Sequence, residues 1–123
     1  SVCPANITGK KLSPRKIIMD IRDRCEEVSS NINKGVQSKE KYNDDKSLFS
    51  YISSEELHAC TACNACVEAC PVLINPLEPI LEMRRSEILS ESKGPAAWTA
   101  MFTSLENNGS VWAMSDSRAK WTE

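Results

Sequence analysis

Four of the chain's six cysteines fall within eleven residues, Cys60-Thr61-Ala62-Cys63-Asn64-Ala65-Cys66-Val67-Glu68-Ala69-Cys70-Pro71, spaced C-x2-C-x2-C-x3-C-P. Thiolates at that spacing suit an iron–sulfur cluster of the four-iron, four-sulfide (4Fe-4S) type. Cysteines three apart on a curling loop reach neighbouring corners of a cube. The residues between them, Thr61, Ala62, Asn64 and Ala65, are small enough for backbone N–H groups to approach the sulfides. A structural zinc site usually pairs two separated C-x2-C knuckles or mixes Cys with His, rather than closing three consecutive gaps with proline. Disulfides between i and i+3 partners on a tight loop have poor geometry and need an oxidising compartment. The spacing therefore argues for the cluster over both alternatives.

The fourth cysteine reads differently from the first three. After Cys66 the sequence predicts a turn into a short helix, which carries Cys70 away from the cube that holds Cys60, Cys63 and Cys66. In two-cluster proteins such a Cys-Pro serves the other cluster. The first cluster then needs a remote ligand, and Cys3-Pro4 is the one other Cys-Pro dipeptide in the chain. We read Cys3 as the last residue of an earlier, truncated copy of the motif. The expected ligands are thus Cys3, Cys60, Cys63 and Cys66 for one cluster, with Cys70 reserved for a second.

The residues Cys3-Pro4, 9–16 (Gly-Lys-Lys-Leu-Ser-Pro-Arg-Lys), 60–71 and Arg84-Arg85 resemble the iron–sulfur subunits of the heterodisulfide reductase type. Their relatives include the iron–sulfur subunits of glycolate oxidase, anaerobic glycerol-3-phosphate dehydrogenase and succinate dehydrogenase. The resemblance covers most of the chain, but its specificity lies in the cysteine motif. It implies an α-helical ferredoxin domain with two full cysteine motifs and two 4Fe-4S clusters, commonly followed by cysteine-rich CCG domains. This chain has one full motif, the tail of another and no Cys-Cys-Gly, so by the resemblance it looks like a fragment carrying one cluster. The implied partners are a flavoprotein on one side and a quinone, a membrane-bound haem subunit or a cysteine-rich redox domain on the other.

The elements that must position these cysteines can be read from caps and periodicity. Residues 1–12 are expected to be irregular. Ser13-Pro14 places an N-cap before proline at the first helical position, and Ile18, Ile21, Cys25, Val28 and Ile32 then form one apolar stripe, closed by Lys34-Gly35. Cys25 in that stripe reads as a buried thiol. Arg15 and Lys16 sit in the first turn, where the helix dipole disfavours cations, so either an anionic cluster or solvent must compensate them. Residues 36–50 are polar and aperiodic, a surface excursion. Ser53 to Glu56 is an S-x-x-E capping box that starts a short helix leading to Cys60. His58, the sole histidine, reads as a packing or hydrogen-bonding residue, since histidine-ligated two-iron centres need a pair.

Beyond the motif, Val72-Leu73-Ile74 is expected to pack beside the cluster. Asn75-Pro76 opens a helix over about 76–91 with Leu77, Ile80, Leu81, Ile88 and Leu89 on its apolar side and Arg84 on or beside it. Pro95 opens another, with Trp98, Met101, Phe102 and Leu105 at i, i+3, i+4 and i+7, read as core, and Asn107-Asn108-Gly109 at its end. A last short helix is expected after Ser115, carrying Arg118 and Trp121. No strand alternation of useful length occurs. The expected architecture is one all-α domain, residues 1–123, of four or five helices around a cluster-binding loop.

Composition narrows the function. The 123 residues carry 15 basic and 17 acidic side chains, so there is no polybasic footprint for nucleic acid. No apolar run approaches the roughly 20 residues of a membrane span. The expected location is cytoplasmic, peripheral on the membrane face if a membrane-bound subunit is the partner. There is no Ser-His-Asp set, Gly-rich phosphate loop or dinucleotide fingerprint. The loop also lacks the C-x3-C-x2-C spacing of radical enzymes. The reading is an electron-transfer module of an oxidoreductase, with a structural or redox-sensing iron–sulfur protein as the alternative.

Overall fold

A computed structural model of the chain describes residues 2–35, 42–112 and 120–122. Among these residues it contains six α-helices and no strand: α1 (Pro4–Ile7), α2 (Pro14–Asn33), α3 (Ser54–His58), α4 (Ala65–Glu68), α5 (Leu77–Leu89) and α6 (Ala96–Asn108). The class is all-α. The chain divides into two compact units, Ser1–Ser86 and Glu87–Glu123, with the boundary inside α5.

The first unit begins with a turn that the sequence reading missed. Pro4 takes the first helical position after Cys3, where its missing N–H costs nothing. Thr8 then bonds back through its hydroxyl to the carbonyls of Pro4 (3.0 Å) and Ala5 (3.1 Å), closing α1 after four residues. The turn buries Cys3, its N-cap, and Ala5, and residues 4–7 are helical rather than irregular. In α2 the expected caps are present: Ser13 Oγ accepts from the Lys16 amide, and Gly35 follows the C-cap with φ near +71°, a conformation that suits glycine.

Of the first-turn cations of α2, Lys16 is compensated by carboxylates. Lys16 Nζ pairs with Asp20 (2.8 Å) and with the buried Glu56 (2.9 Å), while Arg15 stays exposed. Hydrogen bonds from Lys16 and Ser53 hold the Glu56 carboxyl below its usual range, against the upward push of burial. Glu56 also closes the capping box of α3, so one carboxylate both starts α3 and ties it to α2.

The core of this unit consists of Cys3, Ala5, Leu12, Ile17, Ile52, Leu57, Ile80 and Met83, with Ile21, Leu48, Phe49, Ala59 and Cys60 packed against it. It draws on one end of α2 only. Ile17 is fully buried, whereas Ile21, Val28 and Ile32 are half-buried and Cys25 is exposed, which corrects the expectation of a buried thiol. The C-terminal half of the stripe borders an open groove that Leu48 also lines, and no element among the described residues covers it.

The polar excursion beyond residue 41 is pinned rather than loose; residues 36–41 lie outside the described part. Arg24 donates two 2.6 Å bonds to Asp44 and a third to the Lys46 carbonyl (2.9 Å). Glu27 accepts from Lys46 Nζ (2.8 Å) and the Tyr51 hydroxyl (2.6 Å). The bonds from Lys46 and Tyr51 bring the Glu27 carboxyl down to about 2, and Arg24 holds Asp44 well below its usual range. Carboxyls depressed in the folded state stabilise it fully above their unfolded values, about 4, and lose that contribution as pH falls through the folded ones. Arg24→Met in cluster-free protein should therefore lower Tm at pH 7, and the gap to the native chain should close between about pH 5 and pH 2. A gap independent of pH in circular dichroism melts would show that the clamp contributes no charge term.

In α5, Asn75 Oδ1 accepts from the amides of Leu77 (3.1 Å) and Glu78 (3.3 Å), the cap that the sequence predicts. Its buried residues are Ile80, Met83 and Glu87; Met83 and Glu87 were not foreseen, and Leu89 is 79% exposed. In the second unit, α6 ends at Gly109 in the left-handed conformation. Trp98 and Phe102 meet edge to face with centroids 6.1 Å apart, but no residue of α6 is buried, so the aromatic stripe is not core among the described residues. The expected helix after Ser115 falls largely on residues 113–119, outside the described part; a 3-10 turn spans Lys120–Thr122.

Candidate metal centre

The loop after α3 curls by placing two non-glycine residues in the left-handed region, Ala62 (φ 54°) and Asn64 (φ 63°). Asn tolerates that conformation, while Ala holds it at a cost of about 1 kcal/mol. The reversal at Ala62 turns its amide onto Cys60 Sγ (3.4 Å). The Asn64 carbonyl then accepts from Val67 (3.0 Å) and Glu68 (3.1 Å), opening the single turn α4 on which Cys66 sits.

Cys3, Cys60, Cys63 and Cys66 line one cavity, with Ala5, Leu12 and Ile80 of the core forming its inner wall. Cys3 is 7% exposed at the inner end, Cys60 and Cys66 are half-buried, and Cys63 is exposed at the outer end. Burial pushes the Cys66 thiol up, and the nearby Cys60 and Cys3 thiols add to the push as like charges. Four sulfur donors thus face one space with an amide already directed at one of them. The space itself is small, about 20 Å³. Among the described residues, no three His, Cys, Asp or Glu side chains converge on a single metal ion position.

Cys70 does not line this cavity. It follows α4 and faces an open groove of about 640 Å³, which Cys3 and Cys66 also border, beside Arg15, Ile18 and Ile74; there its Sγ accepts from the Ile74 amide (3.3 Å). Val72 and Leu73 are more than 70% exposed, so the expected packing of 72–74 beside the cluster is not found; Leu73 turns left-handed (φ 57°) and the run points outward, with Ile74 alone reaching the groove. His58 borders a separate surface pocket with Lys10, Lys11 and Glu55.

One side chain at the site carried only a faint sequence signal. Arg84, from α5, donates through Nε to the Leu57 carbonyl (3.0 Å) and through Nη2 to the Cys60 carbonyl (2.5 Å). Its place beside the apolar stripe was legible; its partners, 27 and 24 residues away, were not.

An all-α chain with a four-cysteine cavity has iron–sulfur proteins as its relatives. It is similar to the probable iron-sulfur-binding oxidoreductase FadF of Bacillus subtilis (strain 168), 28% identical over 152 aligned residues that take in 100% of this chain and 21% of the relative. It is likewise similar to an EtfAB:quinone oxidoreductase of Syntrophomonas wolfei, at 28% identity over 98% of this chain and 20% of the relative. A probable membrane-anchored ferredoxin of Chromohalobacter salexigens is 28% identical over 85% of this chain and 17% of the relative. The chain is a homologue of iron–sulfur oxidoreductases and ferredoxins, and it spans about a fifth of the length of these curated relatives. No family model and no solved structure matches it. No helix among the described residues is long and apolar enough to cross a membrane.

Proposed function

We propose that this chain is an electron-transfer module of an oxidoreductase, holding one 4Fe-4S cluster through Cys3, Cys60, Cys63 and Cys66. The observation that carries the reading is the gathering of these four thiols, and not Cys70, around one cavity. A cluster with four thiolate ligands supplies one-electron chemistry at a potential, within about −700 to +450 mV, tuned by hydrogen bonds, charge and solvent. The chain's own part is to present sulfur at the four corners, to aim the Ala62 amide at one of them, and to keep water from the Cys3 side with Leu12 and Ile80. Loading requires the cavity to widen. The exposed segment Thr61–Asn64, with no core residue above it, is where the widening costs least.

The exposed Cys63 is the edge at which electrons enter or leave. The relay we propose runs between a flavoprotein and a quinone, haem or cysteine-rich partner. Two of the relatives, an EtfAB:quinone oxidoreductase and a probable membrane-anchored ferredoxin, support a membrane-side acceptor. Cys70, outside the cavity, is assigned to a second cluster of a longer protein, and residues 1–123 to a single α-helical ferredoxin domain.

Anaerobic reconstitution tests the reading directly. We expect about four irons and four sulfides per chain, with an electron paramagnetic resonance signal that appears and disappears reversibly on one-electron titration. One zinc and no iron would overturn it. A loaded cluster that cannot be cycled would assign the protein to the structural class instead.

A further inference from the structure

We propose that Arg84 is a positioning residue for the cluster loop, which holds the loop's entry in place and, as a fixed cation, raises the potential of the group bound there; this rests on the cluster reading above. The last carbonyls of a helix lack the usual amide four residues on and are met in other ways. At the end of α3 the Leu57 carbonyl accepts from the Cys60 amide (3.2 Å), which leaves a lone pair for a second donor, and Cys60 is itself one of the cavity thiols. A single guanidinium from α5 takes both the Leu57 and the Cys60 carbonyls, so the backbone of a thiol-bearing residue is fixed to a helix whose Ile80 and Met83 are buried in the core. The planar fork can span two acceptors at once, which a lysine ammonium on a flexible stem does far less well. Arg84 is part-buried, where a charge is screened less than at the surface. A cation there favours the reduced, more negative state of an anionic cluster. The adjacent Arg85 serves as the control, because it is exposed and pairs with Glu82 on its own helix.

Hydrogen exchange on the cluster-free chain and potentiometry on the reconstituted chain separate the two effects. In Arg84→Met, amides 59–62 should exchange several-fold faster than in the native chain, and the midpoint potential should move to a more negative value. Arg84→Lys should restore most of the potential while leaving exchange fast, and Arg85→Met should leave both native. Native exchange in Arg84→Met overturns the positioning role, and a native potential overturns the electrostatic one. If Arg84→Met does not fold, Arg84→Lys decides: fast exchange at a near-native potential supports the proposal, and native exchange overturns it. Failure of even the native chain to take up iron removes the cluster reading and the electrostatic role with it, while exchange on the cluster-free chain still decides the positioning role.

Discussion

Cys3→Ala protein, reconstituted anaerobically, should yield little cluster or a three-iron signal, whereas Cys70→Ala protein should keep the four-iron signal largely intact. Sequence distance alone argues the reverse, since Cys70 lies four residues from Cys66 and Cys3 lies 63 residues away. Geometry outweighs it. Cys3 is buried at the inner wall of the cavity that Cys60, Cys63 and Cys66 also line, whereas Cys70 is absent from that cavity and meets Cys3 and Cys66 only across the open groove beyond α4. Removing Cys3 leaves one corner without a thiolate, and the iron at that corner is the one to be lost. Removing Cys70 leaves all four cavity thiols in place and opens only the Ile74 amide, which sits in an exposed run. Iron and sulfide counts with electron paramagnetic resonance read the difference. The opposite pattern would mean that the loop closes its own cube and that Cys3 is a core residue alone.

What could be read from sequence and what could not follow a physical division. Local chemistry was legible: Ser13-Pro14, the Ser53/Glu56 box and Asn75-Pro76 start helices because each cap acts on amides two or three residues away, and the structure has all three. The association of Cys3 with the loop was legible for a different reason, the repeated Cys-Pro dipeptide. Hydrophobic period, by contrast, tells which face of a helix is apolar and not whether anything covers it. On α2 the buried residue is Ile17, beside the expected stripe, which is half-buried at Ile18 and Ile21 and open at Cys25, and the α6 stripe of Trp98, Met101, Phe102 and Leu105 is fully buried nowhere among the described residues. Charged side chains carry no period at all. Arg24 meeting Asp44, or Arg84 meeting the Cys60 carbonyl, depends on the packing of elements more than 15 residues apart, so the excursion after residue 41 looked loose and is not.

The same division makes the core testable at two positions on one helix. Ile17→Asp should prevent the cluster-free chain from folding, while Ile21→Asp, one turn further along, should lower Tm and leave a folded protein. Ile17 is fully buried, so the change removes about 1.5–3 kcal/mol of apolar burial. It also leaves a carboxylate without water or a partner, at a cost of several kcal/mol more. Against a typical domain stability of about 5–15 kcal/mol, and a core of eight buried apolar residues among those described, the loss is decisive. At Ile21 the side chain is only half-buried and a carboxylate can turn toward the open groove below it. Cys3, Ala5, Leu12 and Ile80 belong both to the core and to the wall of the cysteine cavity, so iron uptake should fail with folding in Ile17→Asp and survive in Ile21→Asp. By the same coupling, loading the native chain should raise its Tm, since a group bound only by the folded state stabilises that state. Far-ultraviolet circular dichroism and iron content of the two variants settle the point; an Ile17→Asp chain with native Tm and native iron would show that neither the core nor the cavity depends on the first turn of α2.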